Sequence, residues 1–588
     1  MLRLVKYIFI SLILLIPNLH SQIIESIKIS GNKVFSEEEI SNWIGVKPGS
    51  QVTPNLIDSI KSKLALQFGS LGYFHGSFEN TKLQQTADSS KYKLNIFIKE
   101  GEPTYINKLE ITGLDSSLNS KILPMFAFID GRIFNKNEIE GDISTALSYF
   151  ENNGYPFAKI IISSIYFFTD SLKDEYLANV FLKVDKGIKS QIDKIELSGN
   201  SSTKDYVILR ELRLKTGEEY SQNSIDKIPT KLNRLGFFEP VSEPQFFLDS
   251  KNEGILKIDV KEKQTNTFDG IIGYIPGTTA GESGYITGMV NVSLINLFGT
   301  GRAAAIRWQQ YNRSSQDLEL RYLEPWLFNY PFNFTTRFFQ RKQDSSYVQR
   351  SIEGSLEYLA TENISASMFI SSESVIPTQI GSLVTTVNNS NSVTTGINLK
   401  IDSRDDPYSP TEGILFMSSY SFSRKKIYGV DESLQPGIPS SLNLQRLTLD
   451  LDGYYELFSR QVAAIGIHAR ELRGSYFEIS DLFRLGGANS LRGYTEDQFL
   501  GNRIAWTNLE YRLLLTKRTF GFLFFDTGYF LRNADPIRNI LKNEGFKIGY
   551  GLGFNIETNL GVLRVSFALA KGDSFTQGKI HFGIVNQF

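Results

Sequence analysis

The chain has 588 residues, enough for several domains, each with its own core. Its 62 basic and 63 acidic residues leave a net charge of −1, which removes any electrostatic case for binding nucleic acid. It has no cysteine, so disulfides, thiolate metal sites, thiol nucleophiles and a lipidated N-terminal Cys are excluded; aromatic residues reach 13%, rich for a water-soluble protein.

The N-terminus carries the pattern of a secretory signal. Arg3 and Lys6 give a basic start, Tyr7 to Ile16 is an apolar run, and Pro17 breaks it. Ser21 is a small residue suited to cleavage, so residues 1–21 are expected to be removed and Gln22 to become the new terminus. No later segment offers the roughly 20 continuous apolar residues of a membrane helix, so any crossing must use a closed set of strands.

One pattern then occurs three times: strand, turn, two helices, two strands. Its anchors are the aromatic-glycine turns Leu71-Gly72-Tyr73-Phe74, Asn153-Gly154-Tyr155-Pro156-Phe157 and Leu235-Gly236-Phe237-Phe238. Their glycines lie about 82 residues apart both times, as expected of internal repeats. In the first unit, Ile24–Ser30 reads as a strand and Gly31-Asn32 as a turn; Ser36 to Glu39 forms a capping box. Thr53-Pro54 is expected to start a second helix striped by Leu56, Ile60 and Leu64, and Lys93–Ile98 to close the unit. The second unit opens at Ile106–Thr112, has a stripe of Ile139, Ile143 and Leu147, and closes at Leu177–Val184. The third opens at Ile192–Ser198, turns at Gly199-Asn200, has a stripe of Ile225, Ile228, Leu232 and Leu235, and closes at Leu256–Val260. Short charged linkers near Gly101, Gly187 and Lys263 predict units strung like beads, over 22–101, 102–187 and 188–263. The β-α-α-β-β order, the Gly-Asn turn and the aromatic-glycine turn resemble polypeptide-transport-associated (POTRA) domains.

From Phe268 onward, runs of about 10 residues alternate with period two between Gly, Asn, Ser and Asp breaks. In Gly561–Ala570, Leu563, Val565, Phe567 and Leu569 share one face, with Arg564, Ser566 and Ala568 on the other. An apolar face repeated in strand after strand, opposite Arg, Glu, Asn and Gln, is the transmembrane barrel pattern. The fold class is therefore tandem α+β modules followed by an all-β transmembrane barrel of about 16 antiparallel strands over 264–588. The last run, Gly578–Phe588, places Ile580, Phe582, Ile584 and Phe588 on one face, with Lys579, His581, Gly583 and Gln587 on the other. A final strand ending on an aromatic residue resembles the C-terminal signal of bacterial outer-membrane barrels, from which Asn586 departs.

Three further segments extend the resemblance. Asp402-Ser403-Arg404-Asp405-Asp406-Pro407, followed by Pro410-Thr411-Glu412-Gly413, is similar to a strand-turn-strand motif of the BamA/TamA superfamily. Phe483-Arg484-Leu485-Gly486-Gly487 leads to Leu491-Arg492-Gly493-Tyr494, which resembles the superfamily's long loop folding back into the lumen, and Phe524-x-Asp526-x-Gly528 resembles the strand that receives it. The residues agree with this resemblance. Phe524, Asp526 and Gly528 share a strand face, and a carboxylate facing lipid is expensive, so Asp526 should face the lumen with Glu510 on a neighbouring polar face. Arg492 would then pair with Asp526 and with Glu510, while Gly528 allows close approach of the loop.

The chemistry of an enzyme is missing from the pattern. His20, His75, His468 and His581 are the only histidines, with no metal-ligand spacing, no phosphate loop and no nucleophile elbow; Asp405-Asp406 reads as a turn. No catalytic residues, metal or cofactor are expected. The resemblance implies a factor in the bacterial outer membrane, its N-terminal domains in the periplasm. It would receive unfolded outer-membrane proteins by strand addition and insert them through a seam between its first and last strands. Gly270 and Gly273 lie in that first strand, with Pro276 and Gly277, and are expected to make a poor ladder. Outer-membrane lipids are implied partners, with periplasmic chaperones, accessory lipoproteins or an inner-membrane protein as further candidates. The alternative is a two-partner-secretion transporter passing a polypeptide through the lumen, though that architecture usually has two POTRA units and a plug helix.

Overall fold

The computed structural model describes residues 22 to 585, except 89, 127–130, 265, 276–284, 311, 345, 379–386, 408, 430–436, 517, 537–538 and 559–560. The expected signal segment, Pro276-Gly277 and Phe588 lie outside the described residues. The chain divides into two compact units.

The first two repeats lie wholly in one unit. In the first, strand Ile23–Ser30 pairs in parallel with Lys91–Phe97, which pairs with Lys82–Gln85. Helices Glu37–Ile44 and Leu56–Ser70 cover one face. Ser36 caps the first helix, its hydroxyl accepting from the Glu39 amide while the Glu39 carboxylate takes the Ser36 amide. The second helix begins at Leu56, not at Thr53-Pro54; Thr53 instead supplies the carbonyl that receives the Leu56 amide. Ile60, Leu64 and Phe68 are fully buried, as the helical spacing requires. In the second repeat, helix Lys136–Glu151 buries Ile139, Ala146 and Phe150, with Ile143 partly buried against them; Leu147 lies to one side. The stripe is turned because small Ala146 packs close to the sheet and lets Phe150 fill the centre.

The repeats interlock through backbone hydrogen bonds, where charged linkers had suggested loose beads. The Thr104 amide, on the opening strand of the second repeat, donates to the Gly72 carbonyl at 2.9 Å. The same device recurs one repeat later, where the Ser190 amide donates to the Gly154 carbonyl at 2.8 Å. Gly72 has φ 86°, and a Cβ there would sit 2.3 Å from the Phe134 carbonyl oxygen, so both conformation and space demand glycine. This is why the aromatic-glycine turn is the clearest recurring mark in the sequence. Phe74 completes the joint by packing on Phe134 and Phe167.

The third repeat opens with a broken strand, Gln191–Ile192 and Lys194–Ser198. Helix Gln222–Arg234 buries Ile225, Ile228 and Leu232 and contains Pro229; Leu235 follows its end. Residues 195–215 and 226–247 belong to the same unit as the barrel. There, Lys204 donates from its amide to Gly299 at 2.9 Å, Arg210 reaches the Thr300 carbonyl at 3.1 Å and Arg213 the Leu359 carbonyl at 2.9 Å. Trp326 donates to Glu211 at 2.7 Å, and Lys231 pairs with Glu362 at 2.8 Å. Burial pushes the Glu211 carboxyl above its ordinary value, against the pull of Trp326 and Arg210.

Among the described residues, sixteen strands form one antiparallel barrel sheet in chain order, from Thr267–Ile275 to Lys579–Val585. Ile352, Met368, Ile370, Ile397 and Leu523 are each more than half exposed on its outside, while Ser421, Ser423, Lys425 and Ser566 are buried within. The first strand, with Gly270 and Gly273, pairs with its neighbour without a register shift from Thr267–Ser293 to Ile275–Tyr285.

Candidate functional site: a loop locked in the barrel lumen

The long segment between strands Gln461–Arg473 and Arg503–Leu514 folds inward, stiffened by a small hairpin of Phe483–Leu485 with Phe499–Gly501. Leu485 and Leu491 are fully buried and Tyr494 nearly so, against Ile504, Trp506 and Phe530. This apolar pad brings Arg492 to the barrel wall. Its Nε and Nη2 donate to Asp526 at 2.8 and 2.7 Å, and its backbone amide donates to the same carboxylate at 3.1 Å. Its Nη1 donates to Glu510 at 2.7 Å. Arg492 is 3% exposed and Asp526 is fully buried. The guanidinium lies 3.7 Å from the Phe524 ring centroid, so Phe524 adds a cation–π face to the lock. Gly528 leaves room for Leu485 and Leu491, whose methyl carbons would lie 3.2 Å from a Cβ there.

Gly493 and Tyr494 extend the contact. Gly493 has φ 92° and crosses the backbone of Leu569 and Ala570 so closely that a Cβ would collide with it. The Tyr494 hydroxyl donates to the Ile548 carbonyl at 3.1 Å. All seven lumen residues picked out by sequence therefore meet in one place: Arg492, Gly493, Tyr494, Glu510, Phe524, Asp526 and Gly528. Three further side chains join them. Arg512 donates to Glu510 at 2.9 Å through Nε, Arg564 also bonds Glu510, and His581 accepts from the Gly493 amide at 3.1 Å. Their only sequence signal is a polar residue at an inward position of an alternating strand.

A second ionic cluster fixes another part of the infolded segment. Buried Lys425 donates to Asp481 at 2.8 Å and lies 2.7 Å from Glu478, which accepts the Asn388 amide. The turn around Asp402 to Gly413 is also built as an ionic corner. Arg404 makes a two-point contact with Asp402, and the Asp405 carboxylate receives the Thr411 and Glu412 amides.

At the sheet's ends, Ile580 and Phe582 of the last strand are each 61% exposed on the outer face, and His581 points inward. Ile584 falls within this strand. Among the described residues, no ladder joins the last strand to the first, which carries Gly270 and Gly273.

This combination is that of a repeat-plus-barrel outer-membrane protein with an infolded, arginine-locked loop. A family model described as the Omp85 superfamily domain matches residues 296–588, and one described as surface antigen variable number repeat (POTRA) matches 22–101, 104–187 and 190–263. The chain belongs to the Omp85 superfamily, with its barrel in the bacterial outer membrane and its repeats in the periplasm. It is 22% identical to the outer membrane protein assembly factor BamA of Nitratidesulfovibrio vulgaris, over 95% of this chain and 72% of that protein. Matches to BamA of Neisseria meningitidis and of Neorickettsia risticii span 36% and 39% of those proteins. Among solved structures, BamA from Haemophilus ducreyi lacking POTRA domains 1–3 is 18% identical, with TM-score 0.48 over 81% of this chain and 98% of that one. CdiB from Escherichia coli is 12% identical, with TM-score 0.49 over 91% and 98%.

Proposed function

We propose that this chain receives unfolded β-barrel proteins through its periplasmic repeats and inserts them into the outer membrane through a seam between Thr267–Ile275 and Lys579–Val585. The observation that carries the proposal is the lack of a ladder between these two strands among the described residues. Each offers a row of unpaired backbone groups on which an incoming strand can form. The outward Ile580 and Phe582 keep the last strand's outer face compatible with lipid.

Substrate capture fits the second repeat best. Its edge strand Lys159–Asp170 is the longest strand of the repeats' sheets, and Ile161 and Tyr166 are exposed on one face of it. A segment of alternating apolar residues, as in any unfolded barrel protein, can add to that edge and place its side chains against these. The locked loop runs inside the barrel along its last five strands, on the path that passage through the pore would need, which favours passage between strands.

Cysteine pairs along the two seam strands test the proposal on a background with no native cysteine. Cross-links that close the seam should stop insertion of a test barrel protein by the purified factor in liposomes, and reduction should restore it. Full insertion with the seam closed would refute lateral delivery. Depletion in cells separates the readings further: loss of many outer-membrane proteins is expected, whereas selective loss of one large exported protein would favour the secretion-pore alternative.

A further inference from the structure

The lock does not end at Asp526. Residues 490–494 cross the inner face of the last five strands in turn. The Asn508 side chain of Arg503–Leu514 donates to the Ser490 carbonyl at 2.8 Å, and Phe520–Arg532 supplies Asp526. Asn543–Thr558 supplies the Ile548 carbonyl for Tyr494, Gly561–Ala570 meets Gly493 at Leu569, and Lys579–Val585 supplies His581. The last contact reaches the strand that forms one side of the proposed seam. That strand pairs only with residues 562–568 among the described ladders, over a shorter stretch than its neighbours.

Resting on the seam reading, we infer that His581 is a positioning residue that fastens the last strand to the lumen loop, so that the loop's position and the seam's opening are coupled. The direction of its hydrogen bond makes this specific. Gly493 can only donate through its amide, so His581 Nε2 must carry a lone pair and the imidazole is neutral when the contact is made. The position is 9% exposed, so losing the acceptor would strand a buried amide. Protonation would replace the acceptor by a second donor and break the contact. The charged groups around the ring come from every side: Lys579 on its own strand, Arg564 on the neighbouring one, Arg492 on the loop, Asp526 next to Arg492, and Glu510 and Arg512 beyond; Asp452 and His468 line the far wall of the same cavity of about 240 Å³. An imidazolium here would face the charges of Arg492 and Lys579, with Asp526 opposing them. The contact thus joins the lock to the seam strand through one group that can change its charge.

Hydrogen–deuterium exchange of the full-length protein in lipid nanodiscs tests this. His581→Leu should speed exchange of the peptide containing residues 579–585 by roughly tenfold, the scale set by an unmet buried amide. His581→Gln, which keeps an acceptor oxygen at similar reach, should retain protection. If His581→Leu fails to insert, judged by heat-modifiable mobility, the native protein supplies the test. After correction for intrinsic exchange, progressive acidification should deprotect 579–585 in the native protein and not in His581→Gln. Unchanged exchange in His581→Leu, or identical pH profiles for native protein and His581→Gln, would overturn the inference. No assembly substrate is present in these measurements, so failure of barrel insertion elsewhere would refute the assembly reading without deciding this coupling.

Discussion

The repeats and the barrel use the same apolar side chains in opposite directions. In the first repeat, Ile60, Leu64 and Phe68 are fully buried between helix and sheet. In the barrel, Ile352, Met368 and Ile370 point outward, and serine, lysine, arginine and aspartate are buried instead. The solvent sets the difference. Water drives apolar residues of a repeat into a core, whereas lipid is as apolar as leucine and leaves the barrel interior to polar groups. The repeats therefore hold together by packing, and the barrel by its ladder and by ionic clusters such as Arg492–Asp526–Glu510 and Lys425–Asp481. Apolar truncations should weigh heavily in the first region and little in the second, while misplaced charge should do the reverse.

The largest effect is expected for Phe68→Ala. Phe68 is fully buried and meets Trp43 edge-on with ring centroids 5.6 Å apart. Truncation should cost the first repeat about 3–5 kcal/mol. Urea unfolding followed by Trp43 fluorescence, with the other tryptophans replaced by Phe, measures it. On the barrel, Ile370→Ala should change insertion stability by less than about 1 kcal/mol, because lipid fills the space. Ile370→Arg should cost about 2–4 kcal/mol. Refolding equilibria into lipid vesicles compare the two, and equal costs would break the contrast.

The smallest effect concerns pH. Burial of Glu262 opposes its charge, but hydrogen bonds from Thr203, Ser202 and Ser201 hold its carboxyl down at about 2. The folded value lies below the ordinary 4.5. Its contribution is therefore complete above that value and is lost as pH falls from there through about 2. Glu262→Gln should flatten the acid dependence of protection in the peptide containing residues 201–203; an unchanged profile would assign that dependence to other carboxylates.

The same contrast explains what was legible in the sequence. Repeats could be read from glycine turns because Gly72 and Gly154 sit where φ is positive and neighbouring chain presses close. Outward and inward faces could be read because lipid on one side keeps the alternation regular along most of each strand, apart from bulges such as those at Ile295/Leu297 and Glu456/Phe458. Arg492, Asp526 and Glu510 could be placed together because their short motifs are distinctive. Arg564 and His581 could not, since each is one ordinary polar residue on an inward face of another strand and only the barrel's curvature brings it to Glu510 or Gly493. The turned stripe of helix Lys136–Glu151 escaped for a similar reason: alanine carries little hydrophobic signal, yet Ala146 is fully buried. The interlock itself was hidden because the aromatic-glycine turns mark where each repeat bends, whereas the backbone groups they meet in the next repeat, at Thr104 and Ser190, carry no motif.

The central claim is that the loop lock governs insertion through the seam, and a double-mutant cycle tests it most directly. Native protein, Arg492→Ala, Asp526→Ala and the double variant would each be assayed for insertion of a test barrel protein, with outer-membrane levels matched. Breaking the buried contact should cost on the order of 1–3 kcal/mol, enough to displace the loop while the barrel stays inserted. Arg492→Ala, which also gives up Glu510 and the Phe524 face, should slow insertion at least as much as Asp526→Ala, and the double variant should be little slower than Arg492→Ala, because the Arg492–Asp526 pair is lost in all three. Fully additive losses, or native rates in all four proteins, would contradict the account.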